Sequence, residues 1–186
     1  MYEPSDDTWL LLETIRDNDY FNNCVDLGCG TGVVGLYLLS KNICSKTLFI
    51  DINPVALLNT VYNLKLNNYQ HKGLVASIDN DSILENYFEL VVANPPYLPG
   101  TPENLYDYSL VGGSRGYEAV LEFIDSAYYL LVENGVFYLV YSSLSQPIII
   151  ENYLSKKCFR IVRKNIKHFF FEDIIVVEAV KKCMLE

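Results

Sequence analysis

Cys24-Val25-Asp26-Leu27-Gly28-Cys29-Gly30-Thr31-Gly32 reads as a short buried strand running directly into a glycine-rich turn. Residues 33–40 follow with a helical pattern. Glycines at such a turn let the backbone adopt positive φ and pass close to a ligand. A second strand, residues 48–50, ends at Asp51. An acid at the end of the second strand after a glycine loop is placed to accept hydrogen bonds from ribose hydroxyls. Asn53-Pro54 opens a helix, with Asn53 as cap and Pro54 where its missing N–H costs nothing, and Asn68 marks its exit.

Further outward, a first helix is expected over residues 7–17, capped by Ser5 or Asp6. A third strand over 73–78 leads to Asp79, placed to receive an adenine amino group; Asp81 is the poorer occupant of that place. A fourth strand, 90–93, runs into Asn94-Pro95-Pro96-Tyr97. Residues 98–115 are too long and polar for a plain connection and read as a functional loop. A helix over 117–131, a strand over 135–140 and a helix over 147–156 come next. Strands over 159–164 and 174–180, joined by 165–173, are expected to pair antiparallel at the sheet edge. The alternation predicts an α/β, Rossmann-like fold: a seven-stranded, mostly parallel sheet with an antiparallel C-terminal strand.

The chain has 186 residues, which suits a single domain over 1–186. With 51% hydrophobic and 20% charged residues it is globular. Fourteen basic residues against 23 acidic ones give a net charge of −9, which weighs against a dedicated nucleic-acid binder. Cys24, Cys29, Cys44, Cys158 and Cys183 form no CxxC pair, imply no metal site and read as reduced, mostly buried thiols. No apolar stretch reaches membrane-spanning length, and the acidic start has no signal-peptide character, so the cytoplasm or nucleus is expected. His71 and His168 read as surface residues. The run Arg160, Arg163, Lys164, Lys167, His168 reads as a solvated edge in preference to a guide for an acidic partner.

NAD(P), FAD and S-adenosylmethionine all use a glycine loop followed by an acidic strand end. Gly28, Gly30 and Gly32 form GxGxG, not the dinucleotide GxGxxG, which demotes the nicotinamide reading. The Asn94-Pro95-Pro96-Tyr97 segment narrows the chemistry further. Two prolines fix the backbone and remove two donors. The Pro95 carbonyl and the Asn94 side-chain oxygen then form a rigid pair of acceptors, matched to a planar –NH2. Tyr97 offers a flat face for stacking on the plane that bears it. Cys29 needs only to be small.

On these residues the chain resembles a class I S-adenosylmethionine-dependent methyltransferase of the HemK type, in its eukaryotic and archaeal branch. Tyr2-Glu3-Pro4-Ser5-Asp6-Asp7-Thr8 resembles that branch's YEPxxDT signature. Asp26 to Gly32, Asp51-Ile52-Asn53-Pro54 and Asn94 to Tyr97 match in order and spacing, and Gly112-Gly113-Ser114-Arg115-Gly116, opening a helix, resembles that branch's glycine-rich segment after NPPY. The resemblance implies transfer of a methyl group from S-adenosylmethionine to the side-chain amide N5 of the glutamine in the Gly-Gly-Gln motif of a translation release factor. It implies Asn94, Pro95 and Tyr97 as catalytic residues. It places Thr8, Asp26, Gly28, Gly30, Gly32, Asp51, Ile52, Asp79 and Asn94 at the cofactor. Bacterial members carry an extra N-terminal helical domain for which 186 residues leave no room. The branch instead implies a heterodimer with a small zinc-binding activator that adds a strand to the sheet. Two other substrates are compatible with NPPY: the adenine N6 amino group of a flipped base, and a protein lysine, whose ammonium is not planar.

Overall fold

The strand ends read above are continuous apolar runs, and such runs are stable only when both faces of the sheet are covered. The computed structural model, which describes residues 3–77, 85–104 and 106–182, shows how they are covered. The elements run α1 (Asp6–Thr14), β1 (Phe21–Leu27), α2 (Val33–Ser40), β2 (Cys44–Asp51), α3 (Pro54–Leu66), β3 (Gly73–Ser77), β4 (Phe88–Ala93), α4 (Glu118–Leu130), β5 (Leu131–Ser142), α5 (Pro147–Lys156), β6 (Phe159–His168) and β7 (Asp173–Lys181). The seven strands form one sheet in the order β3-β2-β1-β4-β5-β7-β6. β1 pairs in parallel with β2 and β4, β2 with β3, and β4 with β5. β7 is antiparallel to both of its neighbours, as expected for the C-terminal strand.

Alternate residues divide the core. Val25, Leu27, Val91 and Ala93 face α4 and α5, where Val120, Ile124, Ala127, Ile150 and Leu154 are buried against them. Cys24, Leu90 and Val92 face the other way, against Leu10 and Leu11 of α1, Ile15 just after it, and Val34 and Leu38 of α2. Phe49 meets Leu39 and Leu64, which seats α3 beside α2. The chain winds outward from β1 to β3 and then returns to β4. The order therefore reverses between β1 and β4, and a crevice opens there at the strand ends.

Several boundaries differ from expectation. α1 stops at Thr14 because Ile15 is extended, and Ser5 occupies the cap position without a side-chain cap bond. β1 and β2 start earlier, since parallel pairing from Phe21↔Cys44 onward recruits polar residues that show no strand pattern of their own. β6 runs on to His168 and β7 starts at Asp173, so most of the expected 165–173 linker is strand. β6 is an edge strand whose charged residues alternate with Ile161 and Ile166 in pairing with β7, a two-sided pattern that local apolar content conceals. Cys24 and Cys44 are joined as a disulfide, which corrects their reading as reduced thiols; adjacent strands bring them together across 20 residues of sequence. Cys29 is a buried free thiol, and Cys183, like Asp79 and Asp81, lies outside the described residues.

The basic run on β6 is neither a free track nor merely solvated. Arg163 bonds Glu178 and the Thr14 carbonyl, Lys164 bonds Glu151, Lys167 bonds Asp6, and His168 bonds Asp173. Arg16 completes the pair on the buried Glu178 at 2.9 Å, and Asn165 donates to the Thr14 hydroxyl. These contacts pin α1 across β6 and β7. Among the described residues no helix is long and apolar enough to cross a membrane, and no cluster of three or more His, Cys, Asp or Glu is placed to hold a metal ion.

Asp26, at the end of β1, is buried and accepts the Gly35 N–H at 2.7 Å, tying the first turn of α2 to the sheet. Burial, opposed by the Gly35 bond and reinforced by the charge of Asp51, raises its pKa from 3.8 to about 7. The folded state thus holds this proton more tightly than the unfolded chain. The contribution to stability is full below the unfolded pKa and is lost as pH rises through about 7. Asp26→Asn keeps an acceptor for Gly35 and removes the buried charge. In urea titrations without cofactor its midpoint should exceed that of the wild type at pH 8 and converge with it at pH 4.

Candidate active site

The glycine loop leaves β1 at the crevice and is held there by backbone bonds. Gly28 N and Cys29 N both donate to the Ile50 carbonyl at the end of β2, at 2.8 and 2.9 Å. Gly28, Gly30 and Gly32 all have positive φ, between 53° and 76°. A Cβ on Gly28 would lie 2.8 Å from the Phe123 ring, whereas one on Gly30 would meet nothing within 4 Å. The loop is therefore packed from below and open above, the shape of a cradle for a ligand.

Asp51 stands at the edge of that cradle. Its carboxylate accepts Gly30 N–H at 2.9 Å and Asn53 N–H at 2.8 Å, which fixes both oxygens beside the open space. Ile52 next to it is largely exposed, an apolar surface at the same rim. Asp26 is different: it lies beneath the loop, turned to Gly35, and serves as an anchor for α2 instead of a group on the ligand side. Asp79, expected at the adenine end, falls outside the described residues.

Two residues of α3 were not singled out from the sequence. Thr60 donates to the Gly30 carbonyl at 3.2 Å, and Asn63 donates to the Thr31 carbonyl at 2.8 Å. They are three apart, so they share one helix face, and that polar face inside an apolar helix is the signal that points to them. Thr60 also lies 3.5 Å from the Cys29 sulfur. Burial and the charge of Asp26 push the Cys29 thiol up, so it is held neutral and fits the role of a small filler.

The second half of the site follows β4. A pocket is lined by Asp7, Asn94, Pro95, Pro96, Tyr97, Leu98, Ser109 and Leu110. The Asn94 Nδ2 donates to the Thr8 hydroxyl at 3.3 Å. That bond turns the Asn94 Oδ1 the other way, where it is buried and has no hydrogen-bond partner. The Pro95 carbonyl likewise has no partner among the described residues. Leaving a buried acceptor unmatched costs about 1–3 kcal/mol, so its persistence marks a place made for a donor.

α1 holds this pocket in shape. The Tyr97 hydroxyl donates to Asp7 Oδ2 at 2.8 Å, and its ring packs into the cores on both sides of the sheet. Tyr97 is thus a fixed wall whose polar end is already engaged. The loop after it folds back over the same segment: Tyr97 N and Leu98 N both donate to the Leu110 carbonyl. A Cβ on Gly112 would lie 2.4 Å from the Pro96 carbonyl oxygen, and one on Gly116 2.4 Å from that of Tyr97. These close approaches explain why the second glycine-rich segment must be glycine. Asp7, Ser109 and Leu110 are pocket residues that local sequence chemistry did not identify, because a helix start and a distant loop reach the pocket only in three dimensions.

Comparison with known proteins agrees with this geometry. Residues 5–167 match the family described as the methyltransferase small domain. A Methanocaldococcus jannaschii protein, MJ0928, named for protein N5-glutamine methylation, is 29% identical over 186 residues, covering 96% of this chain and 91% of its own. The mouse methyltransferase HEMK2 is 30% identical over 159 residues, covering 79% of this chain and 74% of its own. Among solved structures, the E. cuniculi Mtq2–Trm112 complex, responsible for methylating the translation termination factor eRF1, superposes with a TM-score of 0.74 at 25% identity, over 97% of this chain and 98% of that one. The open cradle at Gly30, the Asp51 carboxylate beside it and the unmatched Asn94 oxygen fit a nucleoside cofactor and an amino-group acceptor side by side. The chain belongs to the methyltransferase small domain family and is an S-adenosylmethionine-dependent methyltransferase of the HemK type.

Proposed function

We propose that the chain methylates the side-chain amide N5 of the glutamine in the Gly-Gly-Gln motif of a release factor, as the catalytic subunit of a heterodimer in the cytoplasm or nucleus. The observation that carries this reading is the pair of unengaged acceptors, Asn94 Oδ1 and the Pro95 carbonyl, on a backbone stiffened by two prolines. A carboxamide –NH2 is planar and offers two hydrogens to such a pair. The name of the M. jannaschii relative and the eRF1 complex support the same substrate.

When bound, S-adenosylmethionine supplies an electrophilic methyl on a sulfonium; the glycine loop, Asp51 and Ile52 are the groups proposed to hold it, with Asp79 at the adenine. An amide nitrogen is a poor nucleophile because its lone pair is delocalised. Asn94 and Pro95 accept its two hydrogens, fix its plane and stabilise the positive charge that builds on nitrogen. Such positioning can supply up to about 7–11 kcal/mol of the barrier. Thr8 orients the Asn94 amide through the Nδ2 bond, and Asp7 holds Tyr97 as the wall of the slot. The net charge of −9 and the acid-paired cations of β6 favour a protein over DNA or RNA.

The partner is proposed to be a small zinc-binding activator docking at the β3 edge. Among the described residues β3 ends the sheet and pairs with β2 alone. Leu74 on it is exposed, and α3 beside it exposes Val55, Leu58, Tyr62 and Leu66 along one stripe. An open strand flanked by an apolar helix stripe suits strand addition with hydrophobic cover.

Incubation with labelled cofactor and the activator should methylate a release factor, and should not methylate its Gln-substituted form or DNA; labelling of DNA alone would overturn the reading. Asn94→Ala should keep cofactor binding and lose about 10²–10³-fold in kcat. Asp51→Ala should instead weaken cofactor binding by about 1.5–3 kcal/mol in calorimetric titration. Leu58→Glu combined with Leu74→Glu should abolish co-purification with the co-expressed activator.

A further inference from the structure

The hairpin between β6 and β7 ends in Phe169-Phe170-Phe171-Glu172, and its aromatics divide into two roles. Phe169 packs into the core beneath α1, while Phe170 and Phe171 are 92% and 85% exposed. Their rings form an edge-to-face pair at 4.7 Å. The tip is braced: Phe169 N donates to the Glu172 carbonyl, Ser142 donates to the Glu172 carboxylate at 2.6 Å, and the Lys167 ammonium lies over the Phe169 ring while bonded to Asp6. Two large apolar side chains held out in water on a braced turn are unfavourable for the isolated chain and characteristic of a docking point.

Strand register locates this pair relative to the pocket. Leu139 of β5 is level with Ala93 of β4 on one side and with Val177 of β7 on the other. Phe171 precedes Val177 by six residues on a strand running the opposite way, so it rises past the end of β4 where Asn94 lies. At about 3.3 Å per residue and 4.8 Å per strand, the pair stands about 15 Å above Asn94 and about 10 Å to its side. The first turn of α1 links the two places directly. Asp6 holds the hairpin through Lys167, Asp7 holds Tyr97, and Thr8 holds Asn94.

We propose that Phe170 and Phe171 dock an apolar surface of the folded protein substrate, next to the loop that delivers the target glutamine. This rests on the reading of the pocket as a glutamine-amide site. A loop-borne side chain that enters the pocket carries its parent domain across this rim. The charges around the tip are matched internally, by Asp6 to Lys167 and Asp173 to His168, which leaves an apolar rather than an ionic contact. The β3–α3 stripe lies at the opposite end of the sheet, so a subunit docked there does not cover the hairpin.

The test is Phe170→Ser combined with Phe171→Ser, assayed in complex with the activator. Two substrates are compared: the folded release factor and a short peptide carrying its Gly-Gly-Gln loop. KM for the folded protein should rise about tenfold or more, with kcat, the peptide KM and cofactor affinity unchanged. Direct binding of the release factor, measured by interferometry without turnover, should weaken by the same factor. An unchanged KM and affinity for the folded protein overturns the inference, as does an equal loss on both substrates. A variant that only converts a self-associated complex to a single copy, with KM unchanged, assigns the pair to a second copy and also overturns it. A wild-type complex that methylates neither substrate overturns the glutamine reading itself, and the docking inference with it.

Discussion

β1 is hydrogen-bonded in parallel on both sides, to β2 and to β4, and the site exists because of that double pairing. Parallel neighbours end at the same level of the sheet. The chain leaves β1 through Gly28, leaves β2 through Asp51 and leaves β4 through Asn94, so three segments far apart in sequence arrive at one crevice. The reversal of strand order at β1 and β4 keeps helices from closing over it. Antiparallel pairing at this point would have sent one of the three to the opposite end.

A second layer of constraint comes from α1, which is short, buries Leu10, Leu11 and Leu12 and leaves Trp9 half-exposed. Its position depends on polar contacts with β6 and β7: Arg16 and Arg163 on Glu178, Asn165 on Thr14, and Lys167 on Asp6. Three consecutive residues at its start, Asp6, Asp7 and Thr8, then touch the hairpin, Tyr97 and Asn94 in turn. The C-terminal hairpin and the pocket are therefore mechanically joined through one helical turn. Among the described residues three buried side-chain atoms lack a hydrogen-bond partner, on Thr47, Tyr138 and Asn94; of the three residues Asn94 lines the pocket, which is where a substrate donor belongs.

Much of this was legible in the residues. The glycine loop, Asp51, the Asn53-Pro54 helix start and the NPPY segment lie at strand ends as expected, because each is a local signal: turn chemistry, capping or a rigid dipeptide. The antiparallel pairing of the last strands was also readable. The length of β6 was not, because an edge strand with one wet face carries charges that mimic a loop. Asp26 looked like a ligand-side acid by its place in the motif, yet the alternation of β1 turns it beneath the loop to Gly35.

Local chemistry thus sets which residues can turn, cap, accept or stack, and it sets them within a few positions of each other along the chain. Partners separated by 80 or more residues obey no such rule. The contacts of Asn94 with Thr8 and of Tyr97 with Asp7 were settled only by packing, as were the pairing of Cys24 with Cys44 and the reach of Thr60 to the glycine loop. The physical reason is that a hydrogen bond or disulfide has a range of a few ångströms, while the distance between two side chains is fixed by the whole sheet and the helices laid across it.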